Sequence, residues 1–252
     1  MVELSDDELD RYARHIVLPQ FGGAGQKRLK ASQVALIGAG GIGSAVLPSL
    51  VGAGIGRITI IEDDVVCLSN LSRQSIYATD DIGKSKAALA KQFAAERNPY
   101  VDIRMKQERL TVDNAEVLLA GYDLIIDGSD NFMTRLAASD AAVKLGTPYL
   151  SAAGAQFQGQ VALFTAQPCY RCFVGDAFDA DDCDNCAELG VLGALTGTMG
   201  HFAAMQAIRH LADVGPADTG ILHLYDALNA KWKAIRIIAD PACKACGEDA
   251  AP

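Results

Sequence analysis

The sequence predicts an α/β fold: a doubly wound sheet that is parallel in the N-terminal half of the chain and antiparallel in its C-terminal strands. Over the first 150 residues, short apolar runs alternate with helical segments, as when crossover helices join parallel strands. Near the C terminus, two apolar runs flank Leu228-Asn229, a turn signal that joins antiparallel strands. Half of the 252 residues are hydrophobic, which suffices for one substantial core.

The individual elements follow from local patterns. Residues 3–30 are predicted to form a helical arm, because Ser5 and Glu8 have the spacing of a capping box. Beyond the arm, strands are predicted at 33–37, 57–62, 101–106, 122–127, 148–151, 159–164, 222–225 and 231–238, and helices at 43–51, 84–98, 131–145 and 189–212. The acidic segment 176–188 has neither period and is expected to be a surface loop.

The charge balance is acidic, with 22 Lys and Arg against 31 Asp and Glu, for a net charge of −9. No basic stripe runs along the sequence, so nucleic acid is not expected as a partner. No apolar run approaches the ~20 residues needed to cross a bilayer, and the N terminus lacks the apolar core of a signal peptide. We therefore expect a cytoplasmic protein that has no membrane partner.

A glycine-rich motif, Gly38-x-Gly40-x-x-Gly43, lies between the first predicted strand and the first predicted helix. In that context glycines let the backbone approach phosphates, and the helix N terminus offers unpaired N–H groups. Glu62 ends the second predicted strand, where a carboxylate binds ribose hydroxyls in Rossmann-like sheets. A nucleotide site is therefore predicted, rather than only a tight strand–helix turn. A dehydrogenase that binds NAD(P) would show the same features.

Polar side chains follow other strands at the same edge of the predicted sheet. Asn70 and Arg73 lie in the loop after the second strand, and Lys86 begins the next helix. Asp130-Asn131 follow the strand at 122–127. Cations together with an isolated carboxylate suit a triphosphate and its magnesium ion. The competing interpretation is that Arg73 and Lys86 are solvated surface charges.

The cysteines predict a metal site. Two motifs, Cys169-x-x-Cys172 and Cys243-x-x-Cys246, each present two thiols at the spacing of a zinc half-site. Four thiolates would close a tetrahedral shell, so the predicted zinc is structural and ties the C-terminal residues back onto the domain. A single motif of this kind could instead be a redox pair.

Several motifs occur in order along the chain: Gly38-x-Gly-Gly-x-Gly43, Asp64-x-Val-x-Leu-Ser-Asn70-Leu-x-Arg73-Gln74, Gly83-Lys-x-Lys86, Asp127-x-x-Asp130-Asn131 and the paired Cys-x-x-Cys motifs. The set resembles the ubiquitin-activating-enzyme-like adenylyltransferases, in particular the MoeB/ThiF/HesA family of molybdopterin-synthase and thiamine-biosynthesis adenylyltransferases. Because the resemblance extends from Arg11 to Cys246, 1–252 is expected to be a single adenylation domain. Its parts are expected to be a helical arm at 1–30, a nucleotide-binding half at 31–150 and a carrier-binding half with the zinc site at 151–252.

The resemblance implies an enzyme that uses ATP and magnesium to adenylate the C-terminal glycine carboxylate of a ubiquitin-like sulfur carrier. The carrier would be a small β-grasp protein that ends in Gly-Gly, in molybdopterin or thiamine biosynthesis, and pyrophosphate would be released. A homodimer is implied as well, in which Arg14 reaches the nucleotide of the neighbouring subunit. Since the sequence has no rhodanese-like extension, we expect a separate sulfur donor protein.

The resemblance also implies roles for matched residues. Gly41 would contact the phosphates, Glu62 would bind the ribose where the family usually carries Asp, and Asp130 would hold magnesium. The expected nucleotide-binding residues are Gly38, Gly40, Gly41, Gly43, Glu62, Asp64, Asn70, Arg73, Gln74, Lys86, Asp130 and Asn131. The expected catalytic residues are Arg14, Arg73, Lys86 and Asp130, with Cys186 as a further candidate.

Cys186 pairs with Cys183 in a third Cys-x-x-Cys motif, within the acidic loop. In the family, the cysteine at this position lies on a loop that crosses the active site. It receives sulfur or a carrier conjugate in some members and is dispensable in others. Neighbouring aspartates should raise the pKa of Cys186, which argues against a strongly activated thiolate. Cys183 has no known counterpart and could compete for the metal.

Two other functions are consistent with part of the sequence. An NAD(P)-dependent oxidoreductase would explain residues 38–62 but would leave the later polar residues without a role. A nucleotide-binding scaffold without catalysis is also possible, although every expected phosphate and magnesium residue is present. Glycines that recur on the last predicted helix, Gly190, Gly193, Gly197 and Gly200, fit either a dimer interface or tight packing against the sheet.

Overall fold

The computed structural model describes residues 2–175, 190–216 and 218–247, which form an α/β domain around one eight-stranded sheet. The strands are β1 (Gln33–Ile37), β2 (Arg57–Ile61), β3 (Asp102–Lys106), β4 (Leu124–Asp127), β5 (Tyr149–Ala155), β6 (Gln158–Phe164), β7 (Ile221–Asp226) and β8 (Lys231–Arg236). The helices are α1 (Asp6–Arg11), α2 (Ala13–Ile16), α3 (Gly22–Ala31), α4 (Gly43–Ala53), α5 (Lys86–Arg97), α6 (Ala115–Leu119), α7 (Phe132–Leu145), α8 (Tyr170–Val174) and α9 (Gly193–Ala212).

The strand order is β3-β2-β1-β4-β5-β6-β7-β8. β3, β2, β1, β4 and β5 run parallel to one another, whereas β5 to β8 form an antiparallel series. The predicted change from parallel to antiparallel pairing is therefore confirmed, and it occurs at β5. The change follows from how the strands are connected, because helices cross over between the early strands and a tight hairpin joins β5 to β6.

The N-terminal arm, predicted as one helical segment at 3–30, is divided into three helices. The capping box is present, since the Glu8 N–H donates to Ser5 Oγ and the Ser5 N–H donates to Glu8 Oε2. However, α1, α2 and α3 are separate helices rather than one. Pro19 and Gly22, which has φ +58°, lie where the chain turns between α2 and α3. The arm therefore folds back instead of continuing as a single rod.

Two apolar layers enclose the sheet because successive side chains of a strand point to opposite faces. On one face, Val34 and Leu36 of β1 pack in a core with residues of α4, α5 and α9. On the other face, Ala35 and Ile37 pack with residues of α6, α7 and α8. α6 and α8 are five-residue helices that the sequence pattern did not predict, because segments this short show no clear period.

α9 packs on α4 at a glycine. A Cβ added at Gly200 would lie 2.6 Å from the Ile42 carbonyl oxygen and 2.7 Å from Ala45 Cβ. A Cβ at Gly197 would meet nothing within 4 Å. Gly200 therefore serves close packing within the chain, on α4 rather than on the sheet. The predicted helix start at 189 lies outside the described residues. The described helix begins at Gly193, because Gly190 has φ +71° and Val191 forms a β-bridge with Gln156.

β8 forms the C-terminal edge of the sheet, and all six of its residues are exposed. Among the helices of the described ranges, none is both long enough and apolar enough to span a bilayer.

Candidate active site

The turn between β1 and α4, residues 38–43, is called the glycine turn below. Gly38 has φ +82°, a left-handed conformation that favours glycine, and its N–H donates to the Ile61 carbonyl oxygen at 3.0 Å. A Cβ at Gly43 would overlap the Gly38 carbonyl oxygen. The turn therefore needs glycine at both ends, and at Gly40 and Gly41 it brings backbone without side chains to the N terminus of α4.

The register of the sheet brings the expected site segments together at the carboxyl ends of β1, β2 and β4, and this end of the sheet is called the rim below. Ile37, the last residue of β1, lies opposite Ile61 in β2 and Asp127 in β4. The glycine turn and the residues that follow β2 and β4 consequently leave the sheet side by side. A Cβ at Gly38 would lie 3.3 Å from the Ser129 nitrogen, so the turn after β4 contacts the glycine turn directly.

Glu62 braces the glycine turn. Its Oε2 accepts from the Ala39 N–H at 2.9 Å, and its Oε1 accepts from the Asp64 N–H at 2.9 Å. Each carboxylate oxygen has a second lone pair, so a ribose hydroxyl could still donate to it. The ribose contact stays a prediction, whereas the bracing contact is present in the structure.

Lys86 is buried at the start of α5 with 4% of its surface exposed, and its Nζ lies 2.8 Å from Asp64 Oδ2. The Asp64 side chain is 60% exposed, so this ion pair is buried at one end and solvated at the other. The interpretation of Lys86 as a solvated surface charge is therefore wrong. A lysine with one exposed partner is suited to binding a second anion at the rim.

Tyr77 connects the glycine turn to α5, and no sequence motif indicated it. Its hydroxyl donates to the Ala39 carbonyl oxygen at 2.9 Å and lies 3.4 Å from the Lys86 carbonyl oxygen. Burial raises the pKa of Tyr77, and the nearby Glu62 and Asp64 carboxylates raise it further, so the hydroxyl remains a donor at neutral pH.

The loop after β2 carries Asn70, Arg73 and Gln74. Asn70 Oδ1 accepts from the Cys67 N–H at 3.2 Å and so fixes the first turn of the loop. Arg73 is half-buried, and its guanidinium donates to the Ser69 carbonyl oxygen at 3.1 Å. The first turn of α9 packs on this loop, because a Cβ at Gly193 would overlap the Ser72 carbonyl oxygen.

Two buried polar atoms flank the glycine turn without a partner. In the part of the chain that the structure describes, Gln74 Oε1 and Ser129 Oγ are the buried side-chain polar atoms that form no hydrogen bond. A Cβ at Gly40 would lie 3.6 Å from Gln74 Nε2, and Ser129 adjoins Gly38 as noted above. Each such atom costs about 1–3 kcal/mol when it stays unpaired. Their position at the rim is what a ligand-binding site would show.

The turn after β4, residues 128–131, presents Asp130. Asp130 is exposed and forms no hydrogen bond or ion pair with the described residues. Asn131 caps α7, because its Oδ1 accepts from the Thr134 N–H at 2.9 Å. Asp130 therefore has a free carboxylate, whereas Asn131 has a structural bond in addition to its expected role.

Arg14 lies on α2, away from the contacts of the rim. It is exposed and has no hydrogen bond or ion pair within residues 2–175, 190–216 and 218–247. The structure thus does not bring Arg14 to the glycine turn of its own chain through any such bond. Cys183 and Cys186, together with the acidic loop, lie outside the described residues.

A buried polar network lies beneath the turn 128–131, and sequence patterns indicated only its aspartate. Asp127 is fully buried; its Oδ1 accepts from the Ser129 N–H at 2.8 Å and its Oδ2 from the Tyr149 hydroxyl at 2.6 Å. Arg135 has 7% of its surface exposed and donates to the Ser129 and Ala152 carbonyl oxygens. An arginine four residues after the helix cap, in a mostly apolar stretch, was the available signal.

The surroundings of this network keep Arg135 charged and Tyr149 neutral. Burial alone would lower the pKa of Arg135, but the Asp127 carboxylate and two tyrosines raise it, and the net shift is upward. Burial raises the pKa of Tyr149 well above its usual value, and the Asp127 carboxylate adds to the rise. Arg135 is therefore a cation and Tyr149 a neutral donor at any physiological pH.

The four expected zinc ligands come together beside α8. The Sγ atoms of Cys169, Cys172, Cys243 and Cys246 lie within 4.8 Å of one another. The Cys169–Cys243 and Cys172–Cys246 sulfur pairs are 3.6 and 3.4 Å apart, near the ~3.8 Å edge of a tetrahedral zinc–thiolate site. Burial raises the pKa of Cys169, and it raises the pKa of Cys246 to about 11. A divalent cation could displace these thiol protons and hold the cluster together.

Comparison with known proteins places the chain among adenylating enzymes. The model of the ThiF family matches residues 12–245. The sulfur carrier protein adenylyltransferase of Thermus thermophilus is 43% identical over 250 residues, which cover 96% of this chain and 92% of that protein. The molybdopterin-synthase adenylyltransferase of Salmonella typhimurium is 35% identical, over 98% of this chain and 100% of that one. The SAMP-activating enzyme E1 of Haloferax volcanii is 38% identical, over 98% of this chain and 92% of that one.

Solved structures share the fold. The crystal structure of E. coli MccB with ATP superposes with a TM-score of 0.85 at 22% identity, covering 96% of this chain and 75% of that chain. This confirms the Rossmann-like doubly wound architecture.

The glycine turn supports a stability prediction. We expect Gly43→Ala to lower the free energy of unfolding by about 2 kcal/mol or more, because the new methyl group overlaps backbone that cannot rotate away. Gly52→Ala is the matched control in the same helix, since a Cβ there meets nothing within 4 Å. That variant should gain about 0.5–1 kcal/mol from helix propensity. Urea unfolding measures both, and equal changes would contradict the tight turn.

Proposed function

The chain belongs to the ThiF family and is an adenylyltransferase, and on that premise we propose that it adenylates a ubiquitin-like sulfur-carrier protein. The acceptor is the C-terminal glycine carboxylate of a carrier that ends in Gly-Gly. ATP supplies the adenylyl group and pyrophosphate leaves. We further propose a single domain in which residues 31–150 bind the nucleotide and residues 151–252 bind the carrier.

One observation supports the site above all: separate parts of the chain converge on the glycine turn. Glu62 and Tyr77 bond to Ala39, the Gln74 amide lies beside Gly40, and Ser129 adjoins Gly38. Lys86, Arg73 and Asp130 belong to these same segments. A triphosphate at the turn would have cations and one free carboxylate around it, and it would adjoin the two unpaired polar atoms.

The reaction suits these groups because it requires no general base. A C-terminal carboxylate has a pKa of about 3.5 and is ionised at neutral pH. One of its oxygens forms a bond to the α-phosphorus of ATP, and the bond from that phosphorus to the bridging oxygen of the β-phosphate breaks. No proton moves. Arg73 and Lys86 stabilise the negative charge on the phosphates during this exchange, and their positions align the triphosphate.

Magnesium fits the same rim, where Asp130 would hold it through its exposed carboxylate. When bound, the ion neutralises phosphate charge. The protein itself contributes the Asp130 carboxylate, which it keeps at a fixed place beside the glycine turn. Asp64, with its exposed side chain, would keep the Lys86 ammonium in position until the phosphates arrive.

The remaining assignments are proposals that follow from the family. Arg14 would serve the nucleotide site of the partner in a homodimer, and Cys186 is the candidate for a covalent step with the carrier or its sulfur. A separate protein would donate the sulfur, in the cytoplasm. The carrier is defined by its chemistry, a ubiquitin-like protein that ends in Gly-Gly.

An NAD(P)-dependent oxidoreductase is not favoured by any observation on the described residues. The buried Lys86 and the half-buried Arg73 would have no role beside a nicotinamide. A nucleotide-binding scaffold without catalysis would not need the full set of expected phosphate and magnesium residues, which this sequence retains.

The site assignment predicts the effect of two substitutions. Arg73→Ala and Asp130→Ala are each expected to lower carrier-dependent exchange of pyrophosphate into ATP about a hundredfold or more, because each loses a charge contact of ~3 kcal/mol. The control is Arg104→Ala, an exposed arginine of β3 that pairs with Asp102. It should keep the wild-type rate. Thermal unfolding verifies that the variants fold, and full exchange activity in either site variant would overturn the assignment.

The cysteine cluster predicts the metal content. We expect about one zinc per chain by elemental analysis, lost in Cys172→Ser together with thermal stability, because three remaining thiols leave the shell open. Cys67→Ser, at an exposed cysteine outside the cluster, should retain the zinc. Purified protein that is metal-free, active and equally stable would refute the zinc site.

A further inference from the structure

We propose that Arg135 is a positioning residue of the adenylation reaction, which fixes the turn 128–131 so that Asp130 holds the metal ion of the ATP complex in place. The inference rests on the proposed function, and it assigns a role to a side chain that itself contacts neither substrate.

The two peptide units that flank Ser129, just before Asp130, each bond to a buried charged side chain. The Ser129 N–H donates to Asp127 Oδ1 at 2.8 Å, and the Ser129 carbonyl oxygen accepts from Arg135. On the other side of Asp130, Asn131 caps α7. The residues on either side of Asp130 are therefore anchored by hydrogen bonds, which limits the positions that its carboxylate can take.

The other bonds of the guanidinium reach β5. Arg135 Nη1 donates to Ser151 Oγ at 3.2 Å, and Nη2 lies 3.1 Å from the Ala152 carbonyl oxygen. β5 is the strand at which the sheet changes from parallel to antiparallel. One side chain thus ties the turn with the proposed metal ligand to the first strand of the proposed carrier-binding half.

Stability alone does not account for a charge in this position. Arg135 and Asp127 are both buried, and an apolar side chain of similar volume is often neutral or better for stability than a buried charge pair. What a leucine or methionine cannot do is hold two carbonyl oxygens from different elements at fixed angles. Lysine cannot do it either, because its ammonium lacks the planar fork of the guanidinium.

The test compares Arg135→Lys with wild type in two measurements. The first is the Mg²⁺ concentration that gives half-maximal pyrophosphate exchange, and the second is Mn²⁺ binding by electron paramagnetic resonance with a non-hydrolysable ATP analogue. We expect the maximal exchange rate to fall about tenfold to a hundredfold, as a misplacement of about 1 Å costs. We also expect metal affinity to fall several-fold in both measurements.

Arg209→Lys is the matched control. The Arg209 guanidinium also bonds to three acceptors, on Gln206, Asp218 and Pro216, but it lies near the C-terminal end of α9. About thirteen residues of helix separate it from the contact of Thr196 with Gly41, a distance of roughly 20 Å. It should lose stability without any change in metal dependence.

Further variants separate the possible failures. If Arg135→Lys lowers only the melting temperature and leaves both metal measurements at wild-type values, the positioning role is refuted while the proposed function stands. If Asp130→Asn leaves them unchanged as well, the metal site of the proposed function is wrong. In an Asp130→Asn background, Arg135→Lys should have no further effect on metal affinity, and an undiminished effect would overturn the inference.

Ser151→Ala decides the matter if Arg135→Lys does not fold. This change removes one acceptor of the guanidinium and adds no bulk, so the protein should remain folded. We expect it to weaken Mn²⁺ binding about two- to fivefold, because the guanidinium loses one of its acceptors and holds the turn 128–131 less firmly. Wild-type metal affinity in this variant would refute the proposal.

Discussion

The close packing around the glycine turn is the constraint on which the rest of the rim depends. Its backbone meets side chains from three directions: Glu62 binds the Ala39 N–H, Tyr77 binds the Ala39 carbonyl oxygen, and Thr196 of α9 would lie 3.1 Å from a Cβ at Gly41. A side chain at Gly41 would crowd Thr196, and one at Gly43 would overlap the Gly38 carbonyl oxygen. The glycines therefore do more than allow a sharp bend, because they let elements distant in sequence meet at one place.

The rim places its charges in two different ways. Lys86 and Asp64 form a pair that is open to solvent on the aspartate side, so the lysine can exchange partners at little cost. Arg135 and Asp127 are enclosed and fully engaged with backbone groups and with Tyr149. The first arrangement suits a residue that binds a ligand, and the second suits a residue that maintains geometry. Asp64 follows β2 and Asp127 ends β4, the two parallel strands on either side of β1.

The elements that could be predicted from sequence are those with local causes. β1 was predicted to the residue, since an apolar run ends there in a glycine motif, and the capping box of α1 was predicted because it spans only four residues. The roles of Tyr77 and Arg135 could not be predicted, because their partners lie on other elements and no spacing in the sequence encodes those contacts. The same holds for the burial of Lys86, which depends on where the second strand ends. The residues expected to bind a nucleotide were found by motif, whereas the side chains that support them were found only in three dimensions.

The exposed edge strand β8 bears on how the protein behaves at high concentration. Among the described residues it pairs only with β7, so one side of its backbone remains available to any other extended chain. Lys231, Lys233 and Arg236 supply half of its six side chains. Two such edges brought together would place like charges side by side, which discourages open-ended stacking of sheets into aggregates. Although the protein is acidic overall, its edge strand therefore carries three positive charges at the place where sheets of two molecules would otherwise join.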